Sequence, residues 1–437
     1  MTAPKAFRSA LLGAAALLGF GALADTAHAG GFGVHEQSTT FLGTAFAGTA
    51  AGGDISSMYW NPAAAAAVPG CSTASSYSLI LGRSEERADG GLFASVPGVD
   101  NSTDVAAESL VPASYLACQL SDKLFAGVAL NSPFGLLTKP DDTSWAGSPI
   151  AITSKVFTAN LNPTLAYRLT PGLTIGVGLQ VEYFRLRLNH ASFASPLLPL
   201  PIVGARSYEA DDWGVGATAG LLWQPAPGTS IGVGYRSAVG IDAEGAFRRG
   251  AAIGSGPAVS TEAQAGLTLP EQVTFSVRQA VGPSWAVLGT VEWKNWSRLG
   301  DVAAVGTGCG PNGVCEVLNL NYREGWLFSV GAEYAYSPTL LLRGGVAYEI
   351  SPIDDRTRDI LLPDSNRVFL SAGASYKYSE QIIVDLGYSH IFFEDADFCI
   401  GSGGGSTHCG SGTTTVLLTG SADVSADIVS LGLRYRF

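Results

Sequence analysis

Stretches of about ten residues in which every second side chain is apolar recur along this chain, and they constrain its fold more than any other feature. From Leu173, the residues Leu173, Ile175, Val177, Leu179, Val181 and Tyr183 share one face, and Thr174, Gly176, Gly178, Gln180 and Glu182 share the other. Val429, Leu431, Leu433, Tyr435 and Phe437 repeat the pattern at the end of the chain. Trp326 to Tyr336 and Val368 to Tyr378 repeat it again, with aromatic residues at the ends as a membrane girdle requires. A period of two is a strand, and an apolar face opposite a polar or small one over this length suits a wall with lipid on one side and a lumen on the other. A soluble sandwich shares the period, but not so many long strands with glycine on the polar face.

Fourteen such segments are read, at residues 72–82, 107–119, 123–133, 155–169, 173–190, 208–224, 229–242, 264–282, 285–297, 322–336, 339–350, 367–379, 381–394 and 423–437. Every second connection is a short turn: 120–122, 170–172, 225–228, 282–284, 337–338 and 379–380. The others are long. The expectation is an all-β fold, a 14-stranded antiparallel transmembrane β-barrel with both strand termini on the short-turn, periplasmic side.

The rest of the chain agrees with export and lipid. Lys5 and Arg8, an apolar run from Ala10 to Ala24 and Ala27-His28-Ala29 make a secretory signal at 1–29, so the mature chain is expected to begin at Gly30. The alternative is a membrane-anchor helix, for which the run is short and rich in Ala and Gly. No later stretch offers ~18 continuous apolar residues, yet mean hydropathy is +0.23 with only 14% charged residues. Helices and closed barrels alone satisfy every backbone polar group in lipid, so the chain is expected in the outer membrane of a Gram-negative bacterium. A large secreted β-protein is the alternative on composition alone. The net charge of −12 argues against nucleic acid as a partner. Acids such as Asp141, Asp142, Asp354 and Asp355 fall between strands, as solvated loops allow.

Six cysteines in an exported chain point to disulfides. Cys309 with Cys315 and Cys399 with Cys409 close small loops. Cys71 starts the first strand and Cys118 ends the second, so an antiparallel hairpin brings them together at the periplasmic rim. Metal binding is the rival, but no Cys-x-x-Cys or His-x-x-x-His spacing supports it, and no metal or cofactor is expected.

Residues 30–70 do not alternate. They are rich in glycine and carry Phe32, Phe41, Phe46, Tyr59 and Trp60. Forty residues of short helix and loop before a wide barrel fit inside it, as a plug, with the barrel proper at 71–437. A disordered tail is the alternative, and its composition is normally poor in aromatics.

Gly31-Phe32-Gly33-Val34-His35-Glu36-Gln37-Ser38, Gly43-Thr44-Ala45-Phe46-Ala47-Gly48 and Asn61-Pro62-Ala63 resemble the N-terminal hatch of the FadL/TodX family. The similarity continues through Asn162-Pro163 to Tyr167-Arg168-Leu169, Leu269-Pro270-Glu271 with Trp285 to Trp296, and Ser351-Pro352 through Pro363-Asp364 to Arg367. It covers essentially the whole mature chain. The resemblance implies a fourteen-stranded barrel, a hatch that includes Phe32, Val34, His35, Asn61, Pro62 and Ala63, and uptake of long-chain fatty acids or hydrophobic compounds such as aromatic hydrocarbons. The implied partners are a hydrophobic small molecule, outer-membrane lipid and lipopolysaccharide, with the chain a monomer.

Three places are expected to carry that transport. The loop at 191–203, with Phe193, Leu197 and Leu198, is unusually apolar and suits capture, or else packs on its neighbour. If the phase of the fifth strand holds past Tyr183, then Phe184, Leu186, Leu188 and His190 face the lumen while Arg185 and Arg187 face out; a β-bulge near Tyr183 would reverse this. The resemblance implies that cations near His190 and Arg323 partner a substrate carboxylate, although His190 is a weak cation at neutral pH. On the third strand, Ser132-Pro133-Phe134-Gly135 is expected to break pairing, since proline cannot donate and glycine bends freely. The resemblance makes that kink a side gate; the plain alternative is the strand's end. Two rival functions stand beside this one. A general hydrophilic porin would have a charged, open lumen. A barrel enzyme needs a nucleophile and base in register, and Ser389 and His390, as neighbours on a strand, face opposite ways.

Overall fold

The computed structural model describes residues 30–195, 198–250, 258–309, 312–402, 408–410, 413 and 415–437, with side chains omitted at 192–205 and 402. The expected signal segment, 1–29, lies outside the described residues.

Fourteen antiparallel strands close on themselves. They are β1 (Cys71–Gly90), β2 (Ser109–Gln119), β3 (Leu124–Asn131 and Gly135–Thr138), β4 (Thr153–Thr170), β5 (Leu173–Ser195), β6 (Leu198–Ala226), β7 (Thr229–Arg236 and Val239–Arg249), β8 (Val259–Leu269 and Gln272–Val281), β9 (Trp285–Lys294), β10 (Gly325–Ala335), β11 (Leu340–Ile350), β12 (Arg367–Lys377), β13 (Ile382–Phe393) and β14 (Thr415–Arg436). β14 returns to β1 in register from Ser72–Arg436 upward, and the Phe437 amide donates to the Cys71 carbonyl at 2.9 Å. The six short turns lie at one end. At the other, Ser102–Asp104 pairs with β1, Asp301–Val305 forms a hairpin with Val314–Asn319, and Ala396–Ser402 extends β14. A closed wall has no edge strands, so every backbone donor in lipid can find a partner.

The alternation read from sequence sets the two faces. Ile175, Val177, Leu179, Val429, Leu431 and Leu433 are exposed on the outside, while Thr174, Gln180, Glu182 and Ser430 are buried on the inside. Two rows of aromatics mark the interfaces: Trp285 with Tyr334 beside the short turns, and Phe157, Tyr183 and Trp213 at the other rim. Three disulfides form, Cys71–Cys118, Cys309–Cys315 and Cys399–Cys409.

Two readings are corrected. The seventh and eighth strands, expected to run unbroken over 229–242 and 264–282, are interrupted at 237–238 and 270–271. Pro270 has no N–H to give a ladder there. The apolar loop expected at 191–203 is a continuation of β5 and β6 into a protruding hairpin, with Ser192 opposite Ile202 and Phe193 opposite Pro201.

Residues 30–67 lie inside the barrel, almost all of them buried. Their structure is three short turns of helix, each started by a polar side chain that satisfies an orphan N–H. Ser38 caps α1 (Thr39–Leu42). Asp54 and Asn61 cap two 3-10 turns, Ile55–Tyr59 and Pro62–Ala66. The lumen glycines noted in the sequence explain how this segment fits. A Cβ on Gly232 would lie 1.7 Å from the Ala50 carbonyl oxygen, and one on Gly234 1.7 Å from that of Trp60. Only a bare backbone lets the inner segment come this close to the wall.

Candidate functional site

The wall is broken at β3. Pairing of β2 with β3 ends at Ser114–Leu130; above it, among the described residues, Ser109 to Ala113 pair only with β1. Pro112 sits in that run, where a missing donor costs nothing. The second piece of β3 pairs only with β4. The opening is bounded above by the Lys139 amide donating to the Val105 carbonyl at 2.9 Å. From inside, the backbone of the N-terminal segment covers it. Val34 N–H donates to the Pro133 carbonyl at 2.8 Å, and Gly135 N–H to the Phe32 carbonyl at 2.7 Å. Gln37 clamps the junction: its amide donates to the carbonyls of Ser132 at 2.8 Å and Val34 at 3.1 Å, and its oxygen accepts from Asn131. Ser132, Pro133, Phe134 and Gly135 all lie at the break.

Above the N-terminal segment the lumen becomes apolar. Strand pairing of β5 with β6 runs from Leu173 to His190 without a shift, and the first irregularity comes only between His190 and Ser192. There is no bulge at Tyr183, so Phe184, Leu186 and Leu188 point inward, buried, while Arg185 and Arg187 are exposed. These three side chains line a cavity of about 60 Å³ with Phe32, Leu136, Val156, Leu267, Leu299, Val302, Leu318, Leu320, Leu361 and Leu362. Its polar lining is Ser154 and Tyr322, with no charged side chain. Phe32 is the wall between cavity and break, edge-on to Phe134 at 6.0 Å and to Trp296 at 4.9 Å.

Not every residue singled out in the sequence meets here. His190 is buried facing inward, but it stands opposite Arg206, which pairs with Glu316 at 3.2 Å, and it does not line the cavity. Arg323 is corrected: its side chain is 60% exposed and faces Asp354 at 3.4 Å, and Tyr322 takes the inward position. The reason is local. Asn321 adopts a left-handed φ of 42°, and β10 starts only at Gly325, so strand phase does not carry back to this point. Leu197 lies outside the described residues, as do the side chains of Phe193 and Leu198.

A buried ionic cluster holds the N-terminal segment against β9, β11 and β12. Glu349 accepts from His35 Nε2 at 3.0 Å and from Arg367 at 2.7 Å. Arg367 also reaches Asp364 at 3.2 Å, which accepts the Gly31 amide at 2.9 Å. Lys294 pairs with Glu292 at 3.1 Å, 3.5 Å from His35 Nδ1. Burial pushes the Asp364 carboxyl above its ordinary range, with Arg367 pulling the other way. Burial likewise raises Glu36, the next residue along. Among the described residues, no group of three or more His, Cys, Asp or Glu side chains is placed to hold a metal.

The family model for outer membrane protein transport proteins (OMPP1/FadL/TodX) matches residues 21–437. The chain belongs to this family. It is 26% identical over 440 residues to the long-chain fatty acid transport protein of Escherichia coli O6:H1, covering 91% of this chain and 93% of that protein. Among solved structures, a FadL homologue of Pseudomonas aeruginosa superposes with a TM-score of 0.81 at 20% identity, covering 93% of this chain and all of the other. The toluene transporter TodX of Pseudomonas putida gives 0.66 at 15% identity, covering 94% and 100%. At those identities the solved structures speak for the fold alone. Membership makes this chain an outer-membrane transporter of the FadL/TodX type rather than an enzyme.

Within the FadL/TodX frame, some cavity residues had no signal in the sequence. Leu318 and Leu320 reach it from the hairpin arm after β9, and Leu361 and Leu362 from the loop before β12. No periodicity marks such positions. Val156 lay on a strand already read, and the inward phase of β4 through Thr158, Asn160 and Asn162 carries to it; Leu136 lies past the break, where pairing with β4 shifts by one residue from Asn131–Asn160 to Gly135–Phe157, so the phase of β3 does not reach it.

Proposed function

We propose that this FadL/TodX-type chain passes uncharged, apolar small molecules, aromatic or aliphatic hydrocarbons, from the cell surface into the outer membrane. The observation that carries the reading is an apolar cavity with no charged lining, one phenylalanine away from a break in the wall. A molecule would be gathered at the β5–β6 hairpin, held among Phe184, Leu186 and Leu188, and released sideways past Ser132 to Gly135 once Phe32 to Val34 withdraw. Phe32 belongs to both places, so its movement would enlarge the cavity and uncover the break together.

The relatives are named for two cargoes, long-chain fatty acids and toluene. The cavity favours the second kind. A carboxylate brought there would be buried without a charged partner, at a cost of several kcal/mol. The cation read from sequence, Arg323, turns away to Asp354.

The test is uptake of radiolabelled toluene and of oleate by Gram-negative cells lacking other carriers of this type. Toluene should enter faster than in cells without the protein, and Leu186→Asp should abolish the difference. Oleate entering as readily as toluene would overturn the preference for uncharged cargo. Rapid swelling of protein-bearing liposomes in small sugars would instead favour a general porin.

A further inference from the structure

The wall has a second break, between β6 and β7. Their ladder runs from Trp223–Ile231 to Thr218–Arg236 and resumes at Asp211–Glu244. Between those points six residues of β6, 212–217, face seven of β7, 237–243, with no backbone ladder among these described residues. One backbone bond, the Ser237 amide to the Ala217 carbonyl at 2.8 Å, and several side chains close its ends. Ser237 Oγ accepts the Ala217 amide at 2.8 Å, and Gln180 donates to the carbonyls of Ala217 at 3.1 Å and Ser237 at 3.3 Å. At the upper end the Asp212 carboxylate accepts the Asp242 amide at 2.8 Å. The middle is closed by two apolar side chains. Gly214 and Gly216 leave notches in β6, and Val239 and Ile241 fill them: a Cβ on Gly214 would lie 2.3 Å from Val239 Cγ1 and 2.8 Å from Ile241 Cδ1.

What lies on either side gives the break its meaning. Inside, Val239 and Ile241 are buried in the same apolar cluster as Phe184, Leu186 and Leu188. Outside, Trp213 and Val215 are 63% and 65% exposed on the lipid face, and Trp213 packs at a tilt against Tyr183 in the aromatic row at the long-loop rim. The break therefore sits at the level of the outer leaflet. β7 and β8 are both interrupted beside it, at 237–238 and 270–271, so their upper halves form one hairpin joined to the lower barrel by two short links.

We propose that this break is a second passage through the wall, by which uncharged apolar molecules exchange between the cavity and the outer leaflet, with Val239 and Ile241 as its door. The proposal rests on the reading of the cavity as a site for apolar cargo. A charged molecule would have to shed its water against two aliphatic side chains, which restricts the passage to neutral solutes.

The test is photolabelling of the mature protein in phospholipid vesicles with 3-trifluoromethyl-3-phenyldiazirine dissolved in the bilayer. Labelled residues are then mapped by mass spectrometry. The passage predicts label on Phe184 and Ile241 as well as on outward Trp213 and Val215. Label confined to the outward residues would overturn it. A Gly214→Cys/Val239→Cys pair, whose Cβ atoms lie within disulfide range, should cut the inner label severalfold when oxidised. Reduction should restore it, with the unsubstituted protein given the same reductant as control for its three native disulfides. Inner label that survives oxidation arrived by another route and overturns the proposal. Toluene uptake no faster than in cells without the protein would overturn the carrier reading instead, while the labelling pattern still decides whether the wall opens here.

Discussion

The two breaks in the wall are closed in different ways. At β3 the cover is backbone from another part of the chain, Phe32 to Val34, tied down by Gln37 and by the Glu349–Arg367–Asp364 cluster. At β6–β7 the cover is two side chains of the wall itself, with Ser237 and Gln180 mending the ends. The first cannot open without breaking backbone hydrogen bonds and moving an ordered segment, a motion of nanoseconds to milliseconds or slower. The proposed opening of the second needs changes of rotamer at Val239 and Ile241. On the two proposals, a gate of the first kind would be held shut until cargo arrives, whereas one of the second kind would leak whatever is small and apolar. The contrast is between a cover held down by buried ion pairs and one held by almost none.

The largest effect should come from removing that charge. Glu349→Gln removes the carboxylate that pairs with the buried Arg367 guanidinium and accepts from His35. Breaking a buried pair in this way costs about 3–5 kcal/mol. Hydrogen exchange read by mass spectrometry should then show the Val34 and Gly135 amides exchanging faster by about two orders of magnitude or more. The Ser237 amide should be unchanged. Equal acceleration at Ser237 would mean that the two breaks open together, and the contrast would fail.

Next in size is Gln37→Ala. It leaves the Ser132 carbonyl without its donor in a buried place, a cost of about 1–3 kcal/mol, while the Asn131 amide keeps Tyr115 as its partner. Exchange at Gly135 should rise by about tenfold, and the initial rate of toluene uptake should rise with it, because the cover lifts more often. Faster exchange with unchanged uptake would show that release past β3 does not limit transport.

How much of this was legible depends on what each element answers to. Strands that answer to lipid on one side and lumen on the other carry their phase in every second residue, which is why Leu173 to Tyr183 gave both register and facing, and why the fourteen segments and six short turns stand in the structure. Phe184, Leu186 and Leu188 followed because that phase runs on unbroken. The β3 break was legible because Pro133 forbids a hydrogen bond whatever its surroundings. The β6–β7 break was not. Its cause is a one-residue mismatch, six residues at 212–217 against seven at 237–243, a relation between distant residues that no local pattern records. The outward turn of Arg323, and the inward one of Tyr322, were hidden for a related reason: one left-handed residue, Asn321, reset the phase between hairpin and strand. The lumen glycines were visible as a pattern, but their purpose appears only when the Ala50 and Trp60 carbonyls come to rest against Gly232 and Gly234.

The smallest effect should come at Ser237. In Ser237→Ala the Ala217 amide loses the Oγ that accepts it, while Gln180 still bridges the Ala217 and Ser237 carbonyls and the Ser237 amide still donates to Ala217. One hydrogen bond at a half-exposed site is worth about 1 kcal/mol, so the Ala217 amide should exchange about fivefold faster. Val34 and Gly135 should not respond, because among the described residues no backbone or ionic contact links Ser237 to Phe32 or Glu349. A change this small at β6–β7, beside one about a hundredfold at β3 from Glu349→Gln, is what separate closures require. If Ser237→Ala instead quickened exchange at Val34, the wall would be moving as one body. The side-chain door would then share the tension of the ionic cluster, and two gates of different stiffness would reduce to one.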